Sequence, residues 1–128
     1  MKRVLFVCIE NSNRSQMAEA FLRLHAPSDV EAVSSGSRPS GQVNPRAIQF
    51  MAERGYDLNT HHSKGLDDIP QGRYDYAITM GCGDECPLVD AAHRADWQLE
   101  DPKHLDDDGF RAVRDEIEQR VLTLLEAL

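Results

Sequence analysis

Arg3-Val4-Leu5-Phe6-Val7-Cys8-Ile9-Glu10-Asn11-Ser12-Asn13-Arg14-Ser15-Gln16-Met17-Ala18-Glu19-Ala20-Phe21-Leu22 decides how this chain folds. The apolar run from Lys2 to Val7 predicts a buried strand. From Arg14 to Leu24, Met17, Ala20, Phe21 and Leu24 recur at helical spacing on one face. A short loop joining strand to helix N-terminus gathers successive backbone N–H groups into an anion nest. Cys8 stands at its mouth, and Arg14, six residues on, returns a planar guanidinium fork opposite the sulfur. That positive field favours a thiolate, and Ser15 can donate a hydrogen bond to it. The segment therefore suits attack by sulfur on a tetrahedral oxyanion. The plain alternative, a buried strand-end cysteine beside a solvated arginine, does not account for strand, helix and Ser15 occurring together.

Working outward, Val30–Ser34 is a second short strand, bounded by Pro27-Ser28-Asp29 and Gly36, and Ser37–Val43 is a loop. Asn44 and Pro45 are an N-cap and first helical residue, and Ile48, Met51 and Ala52 continue that helix until Gly55 stops it. Tyr74–Met80 is the next strand. Gly81–Pro87 is a loop, followed by a short helical turn through Ala92, and Ala95–Leu99 is a short edge strand. The last helix starts at Asp107 or Asp108 and ends at Ala127, burying Phe110, Val113, Ile117, Val121, Leu124 and Leu125. This alternation predicts one α/β domain over residues 1–128, a three-layer sandwich around a central four-stranded parallel sheet. Ligands of such sheets bind beyond the carboxyl ends of the strands. Cys8, Cys82 and Asp101 each follow a strand, so all three should open onto one edge.

Composition narrows the function further. The chain has 128 residues and a formal net charge of −8, which argues against nucleic acid or an anionic membrane as partner. No apolar run reaches the roughly 18 residues of a membrane span. The N-terminal run is shorter than the roughly 7–15 residues of a signal-peptide core, so a cytoplasmic location is expected. Three cysteines make an odd number for a disulfide framework and suit catalytic use in a reducing compartment. His61-His62 lacks the spacing of a zinc site, so no metal and no cofactor is expected. His25, His61, His62, His93 and His104 read as surface or helix-end residues, Trp97 as core or rim packing, and the molecule as a monomer.

Cys8–Ser15 followed by Gln16-Met17-Ala18-Glu19 resembles the active-site loop of the low-molecular-weight tyrosine phosphatase superfamily, in particular its arsenate reductase branch. The resemblance continues through Ser34-Ser35-Gly36, Val43-Asn44-Pro45, Thr79-Met80-Gly81-Cys82-Gly83-Asp84-Glu85-Cys86-Pro87 and Asp96-Trp97-Gln98-Leu99-Glu100-Asp101-Pro102. It implies Cys8 as nucleophile, Arg14 as oxyanion clamp, and Glu10, Asn11, Ser12 and Asn13 with Arg14 as the substrate-binding loop. Asn11 would brace that loop, and Asp101 would protonate the departing oxygen. Asp101 also reads, on its own, as a turn residue before proline.

Cys82 and Cys86 separate the branches. A phosphatase needs one cysteine, whereas a reductase needs a second thiol to resolve the first intermediate as a disulfide. The resemblance makes Cys82 the resolving thiol. Cys86 would pass the disulfide to thioredoxin, to glutaredoxin with glutathione, or to mycothiol. Three features depart from the pattern. Cys82 and Cys86 are separated by only three residues. Glu10 occupies a position usually held by a small residue. Lys64 stands where an aspartate joins Asn11, Glu19 and Ser34 around potassium in some members, so its ammonium should replace the cation. Arsenate reduction, with weak phosphatase activity beside it, is the leading expectation. An aryl-phosphate or phosphotyrosine phosphatase is the second, although Lys103-His104-Leu105-Asp106-Asp107-Asp108 lacks the aromatic pair that flanks the acid there. An oxyanion-sensing binding protein without turnover is the third.

Overall fold

In the computed structural model, which describes residues 1–81 and 89–128, strand β1 (Lys2–Cys8) lies inside a parallel sheet. Helix α1 (Arg14–His25) leads to β2 (Val30–Gly36), and α2 (Pro45–Ala52) precedes β3 (Tyr74–Thr79), β4 (Ala91–Asp96) and the long α3 (Asp107–Ala127). The strand order is β2-β1-β3-β4, with every pairing parallel. Val4, Leu5 and Phe6 are all fully buried, because a central parallel strand is covered on both faces and need not alternate in polarity.

One face of the sheet carries the main core. Val4, Phe6 and Cys8 of β1 join a cluster with Met17 and Phe21 of α1, Phe50 of α2, and Phe110, Ile117 and Val121 of α3. On the other face Leu5, Val7, Val33 and Ala77 pack with Ile69 and, at its margin, Leu66. Those last two belong to a one-turn helix (Leu66–Asp68) and the chain after it, which form the thinner third layer among the described residues. The three-layer sandwich and its four-stranded parallel sheet are as expected. Asn44 caps α2 by accepting from the Arg46 N–H, with Pro45 at the first position. Asp106 caps α3 through the Gly109 N–H, and Asp107 and Asp108 complement its positive end. No helix of the described residues is long and apolar enough to cross a membrane.

Three local expectations are corrected. The edge strand spans Ala91–Asp96, not Ala95–Leu99, and Ala91 and Ala92 belong to it rather than to a helical turn. The cause is that β4 pairs on one side only and exposes most of its residues, so its composition lacks the apolar signature of a strand. Trp97 and Leu99, which suggested the strand, are instead buried just beyond it, with the Trp97 ring 5.7 Å from that of Phe6. Leu24 is 42 % exposed, since α1 is buried through Leu22 and its last turn emerges from the core. Cys82 and Cys86, and the loop assigned to Gly81–Pro87 beyond its first residue, lie outside the described residues.

Candidate active site

At the end of β1 the chain turns through residues 9–13 and enters α1 at Arg14. Its carbonyl groups are held from outside. The N–H groups of Ser37, Arg38, Ser40 and Asn44 donate to the carbonyl oxygens of Cys8, Ile9, Glu10 and Ser12 at 2.8–3.1 Å, and Gln16 Nε2 donates to that of Asn11 at 3.1 Å. In a trans peptide the next N–H points opposite to the carbonyl, and the described chain has no cis bonds. The N–H groups of residues 9–13 follow carbonyls that are held from outside, the arrangement that the anion nest expected from sequence requires. Gly36 permits this close approach: a Cβ there would stand 2.6 Å from the Ile9 oxygen and 3.0 Å from the Asn11 nitrogen. Asn11 takes a left-handed φ of 51°, the one positive φ among described non-glycine residues.

Around Cys8, a buried free thiol, the polar groups fit one another closely. Cys8 Sγ lies 2.8 Å from Ser15 Oγ. Asn11 Nδ2 donates to Ser15 Oγ at 2.8 Å and to Ser34 Oγ at 3.0 Å, while Asn11 Oδ1 accepts from the Lys64 backbone N–H at 3.0 Å. Ser34 Oγ donates to Glu19 Oε1 at 2.5 Å, and Lys64 Nζ reaches the same two oxygens at 3.3 and 3.5 Å. Glu19, only 3 % exposed, is further neutralised by Arg23 at 2.8 Å. The four residues grouped around a possible cation position, Asn11, Glu19, Ser34 and Lys64, are thus together, with the Lys64 ammonium among them.

The opposite wall comes from residues 99–103. Arg14 Nη1 donates to the Leu99 carbonyl at 3.0 Å, and Nη2 lies 3.8 Å from Asp101 Oδ2. Gly81, with φ +75°, lets the guanidinium pass; a Cβ there would come within 2.9 Å of Nη1. Asp101 is the turn residue expected before proline, and it also faces the pocket. Its Oδ1 accepts from the Lys103 N–H and starts the Pro102–His104 turn, while Oδ2 faces Arg14. Between the walls lies a pocket of about 310 Å³, lined by Cys8, Ile9, Glu10, Asn13, Arg14, Arg38, Asp101 and Lys103. Its three cations outnumber its two carboxylates, so the local field favours an anion despite the net charge of −8. Glu10 Oε2 is paired with Lys103 Nζ at 3.4 Å, which offsets the negative charge at the mouth.

The structure brings together Cys8, Glu10, Asn13, Arg14, Ser15 and Asp101. Asn11 and Ser12 do not line the pocket. Sequence reasoning missed Arg38 and Lys103, whose only signal was positive charge in loops otherwise read as connections. It also misplaced His61. That side chain is 5 % exposed, and its ring bridges Tyr56 Oη (2.6 Å) and Gln16 Oε1 (2.9 Å) behind the loop. Burial pushes its protonation to lower pH than usual.

Residues 3–128 match the family model described as low molecular weight phosphotyrosine protein phosphatase. A relative from Synechocystis named glutaredoxin arsenate reductase is 39 % identical over 128 residues, covering 98 % of this chain and 97 % of its own. A solved structure described as an arsenate reductase in the phosphate binding state superposes with a TM-score of 0.88 at 39 % identity, covering 99 % of this chain and 98 % of that one. The thioredoxin-dependent arsenate reductase of Corynebacterium glutamicum gives 0.82 at 37 %, with 99 % of this chain and 61 % of that one covered. The chain belongs to the low molecular weight phosphotyrosine protein phosphatase family and, within it, groups with the arsenate reductases.

Proposed function

We propose that the protein reduces arsenate to arsenite through Cys8 and a relay of cysteines. One observation carries the reading: Cys8 lines one pocket with Arg14 and Asp101, which face one another at 3.8 Å. The nest and Arg14 hold the oxyanion while the Cys8 thiolate attacks arsenic. The arsenate hydroxyl takes the Asp101 proton and leaves as water, giving a sulfur–arsenic(V) bond. Cys82 thiolate then attacks Cys8 Sγ. A Cys8–Cys82 disulfide forms, and the sulfur–arsenic pair stays on arsenic, which leaves as arsenic(III) and takes up protons from water. Cys86 thiolate next attacks Cys82, releasing Cys8, and an external thiol system returns two electrons to the Cys82–Cys86 disulfide. Such thiol chemistry suits the reducing cytoplasm and a monomer.

The test is arsenite production with thioredoxin, glutaredoxin with glutathione, or mycothiol supplied separately, for wild type, Cys82→Ser and Cys86→Ser. At least one donor should support multiple turnover in the wild type. Cys82→Ser should stop after Cys8 has reacted. Full turnover by Cys82→Ser with every donor would remove it from the relay. Because nest and arginine fork suit phosphate as well as arsenate, slow hydrolysis of p-nitrophenyl phosphate is also expected. Good hydrolysis without arsenite from any donor would instead establish the phosphatase reading. With the Lys64 ammonium beside Glu19 and Ser34, potassium added at constant ionic strength should leave the rate unchanged.

A further inference from the structure

Most polar groups that line the pocket can only give hydrogen bonds. Arg14, Arg38 and Lys103 carry donors and no acceptor. The two carboxylates already face donors of their own. Asp101 accepts from the Lys103 N–H at 3.1 Å and stands 3.8 Å from Arg14, and Glu10 pairs with Lys103 Nζ at 3.4 Å. Asn13 is different. It lines the pocket and is 5 % exposed, and its Oδ1 is buried without a hydrogen-bond partner. Folded proteins seldom leave a buried acceptor so, because its lost hydration is not repaid. Ser35 and Ser37 also bury an unpartnered oxygen, but neither lines the pocket. Asn13 is in addition the N-cap of α1: its backbone oxygen accepts from the Met17 N–H at 2.9 Å, yet its side chain caps nothing. Asn44 and Asp106, at the same position of α2 and α3, do accept from a helix N–H. The Asn13 amide is thus spared from the helix that it starts.

We propose that Asn13 is a specificity-determining residue whose amide oxygen accepts the hydroxyl hydrogen of a bound oxyanion, selecting arsenate and phosphate over sulfate. The proposal rests on the reading of this pocket as the oxyanion site, but not on which reductant the protein uses. Near neutral pH arsenate and phosphate keep at least one hydroxyl, whereas sulfate has none. Charge separates these anions poorly, since Arg14, Arg38 and Lys103 attract each of them. The hydroxyl separates them. All four oxygens of sulfate are acceptors, so one that meets Asn13 Oδ1 sets acceptor against acceptor. A hydroxyl at the same place makes a hydrogen bond. A site that holds a substrate hydroxyl rejects the analogue without it, because its own polar group is then left unpaired. An amide turned over would instead offer Nδ2, a further donor, and would favour sulfate and phosphate alike.

The experiment is calorimetric titration of the reduced full chain with inorganic phosphate and with sulfate, near neutral pH and at constant ionic strength. The wild type should bind phosphate about tenfold more tightly than sulfate, or better, as suits one buried acceptor satisfied by one anion and opposed by the other. In Asn13→Ala phosphate should weaken while sulfate holds or tightens, so that the preference falls about tenfold. Asn13→Asp offers acceptors alone. Its charge should weaken both anions, yet the preference for phosphate should be kept. An equal loss of both anions in Asn13→Ala would make the amide a donor and overturn the proposal, as would a preference that does not move. A loosened loop would also weaken both anions together, so the ratio separates recognition from support of the fold. If Asn13→Ala does not fold, the Asp variant still decides: a preference kept supports the proposal, and a preference lost overturns it. Binding of neither anion by the wild type would remove the oxyanion reading of the pocket and this proposal with it. Arsenite production with an unmoved preference would remove the proposal alone.

Discussion

On one side of the pocket Asn11, Ser15 and Gln16 are fully buried, and each has its polar atoms tied to two or more partners across four segments of chain. On the other, Asp101 has a side chain 33 % exposed, reaches Arg14 only at 3.8 Å, and shares its wall with a Glu10–Lys103 pair exposed at 41 and 38 %. The first wall is preorganised: its buried hydrogen bonds, with Ser15 Oγ 2.8 Å from Cys8 Sγ, are already made, so the proposed attack by Cys8 would need no reorganisation there. The second is held by a 3.8 Å charge contact and one capped turn, which leaves it freer to move, as the proposed acid role of Asp101 would require. Arg14 joins them, starting α1 on one side and bonding to Leu99 on the other.

Substitution of that joint should have the largest effect. Arg14→Lys keeps the charge but loses the planar fork, and kcat/KM for arsenate should fall by about 10²–10³. A loss below tenfold would mean that the backbone nest alone holds the oxyanion. Asp101→Asn comes next. It keeps the oxygen that accepts from the Lys103 N–H while removing the proton, so the first chemical step should slow by about 10² with unchanged stability. Asp101→Ala should add a loss of up to about 1 kcal/mol in urea unfolding, because the turn then lacks its cap. Single-turnover arsenite release and unfolding curves separate the two roles. Equal kinetics for Asp101→Asn and wild type would leave Asp101 a cap alone.

How much of this was legible follows the same division. The preorganised wall is local in sequence: β1, the loop and the start of α1 are consecutive, so Cys8, Arg14 and Ser15 could be placed from strand and helix periodicity and from spacing. Asn11 could not be oriented that way, because its partners Ser34 and Lys64 come from distant segments. His61 was misjudged for a similar reason. A histidine in an irregular segment carries no periodicity, and only the packing of residues 56–62 against α1 buries it. Edge strand β4 was shifted because its exposed residues hide its period while Trp97 and Leu99 imitate one. Resemblance supplied Asp101 and the relay cysteines, which no local pattern distinguishes from turn residues.

Gly36 tests how firmly the buried wall is built. In Gly36→Ala the new Cβ meets backbone atoms of Ile9 and Asn11 that cannot turn aside as a side chain would, so stability should drop by about 1–3 kcal/mol and phosphate affinity should fall with it. Gly65→Ala is the control, since its Cβ would find Pro39 Cγ at 3.5 Å, an ordinary contact, and it should change neither. Equal melting temperatures for the two variants would show that the loop yields, and the contrast between the walls would weaken.

The smallest effect belongs to the exposed pair. Glu10 Oε2 and Lys103 Nζ are 3.4 Å apart in a setting where such a bridge contributes up to about 1 kcal/mol. Glu10→Gln should leave stability nearly unchanged, yet it removes a negative charge from the mouth and frees Lys103 to face the anion. Phosphate should then bind about two- to fivefold more tightly in 0.01 M salt, where the Debye length is about 30 Å. At 0.15 M, with a Debye length of about 8 Å, most of that gain should be gone. A gain that survives salt would mean that Glu10 acts through the shape of the loop rather than through its field. The outer wall would then be as tightly coupled to the nest as the buried one.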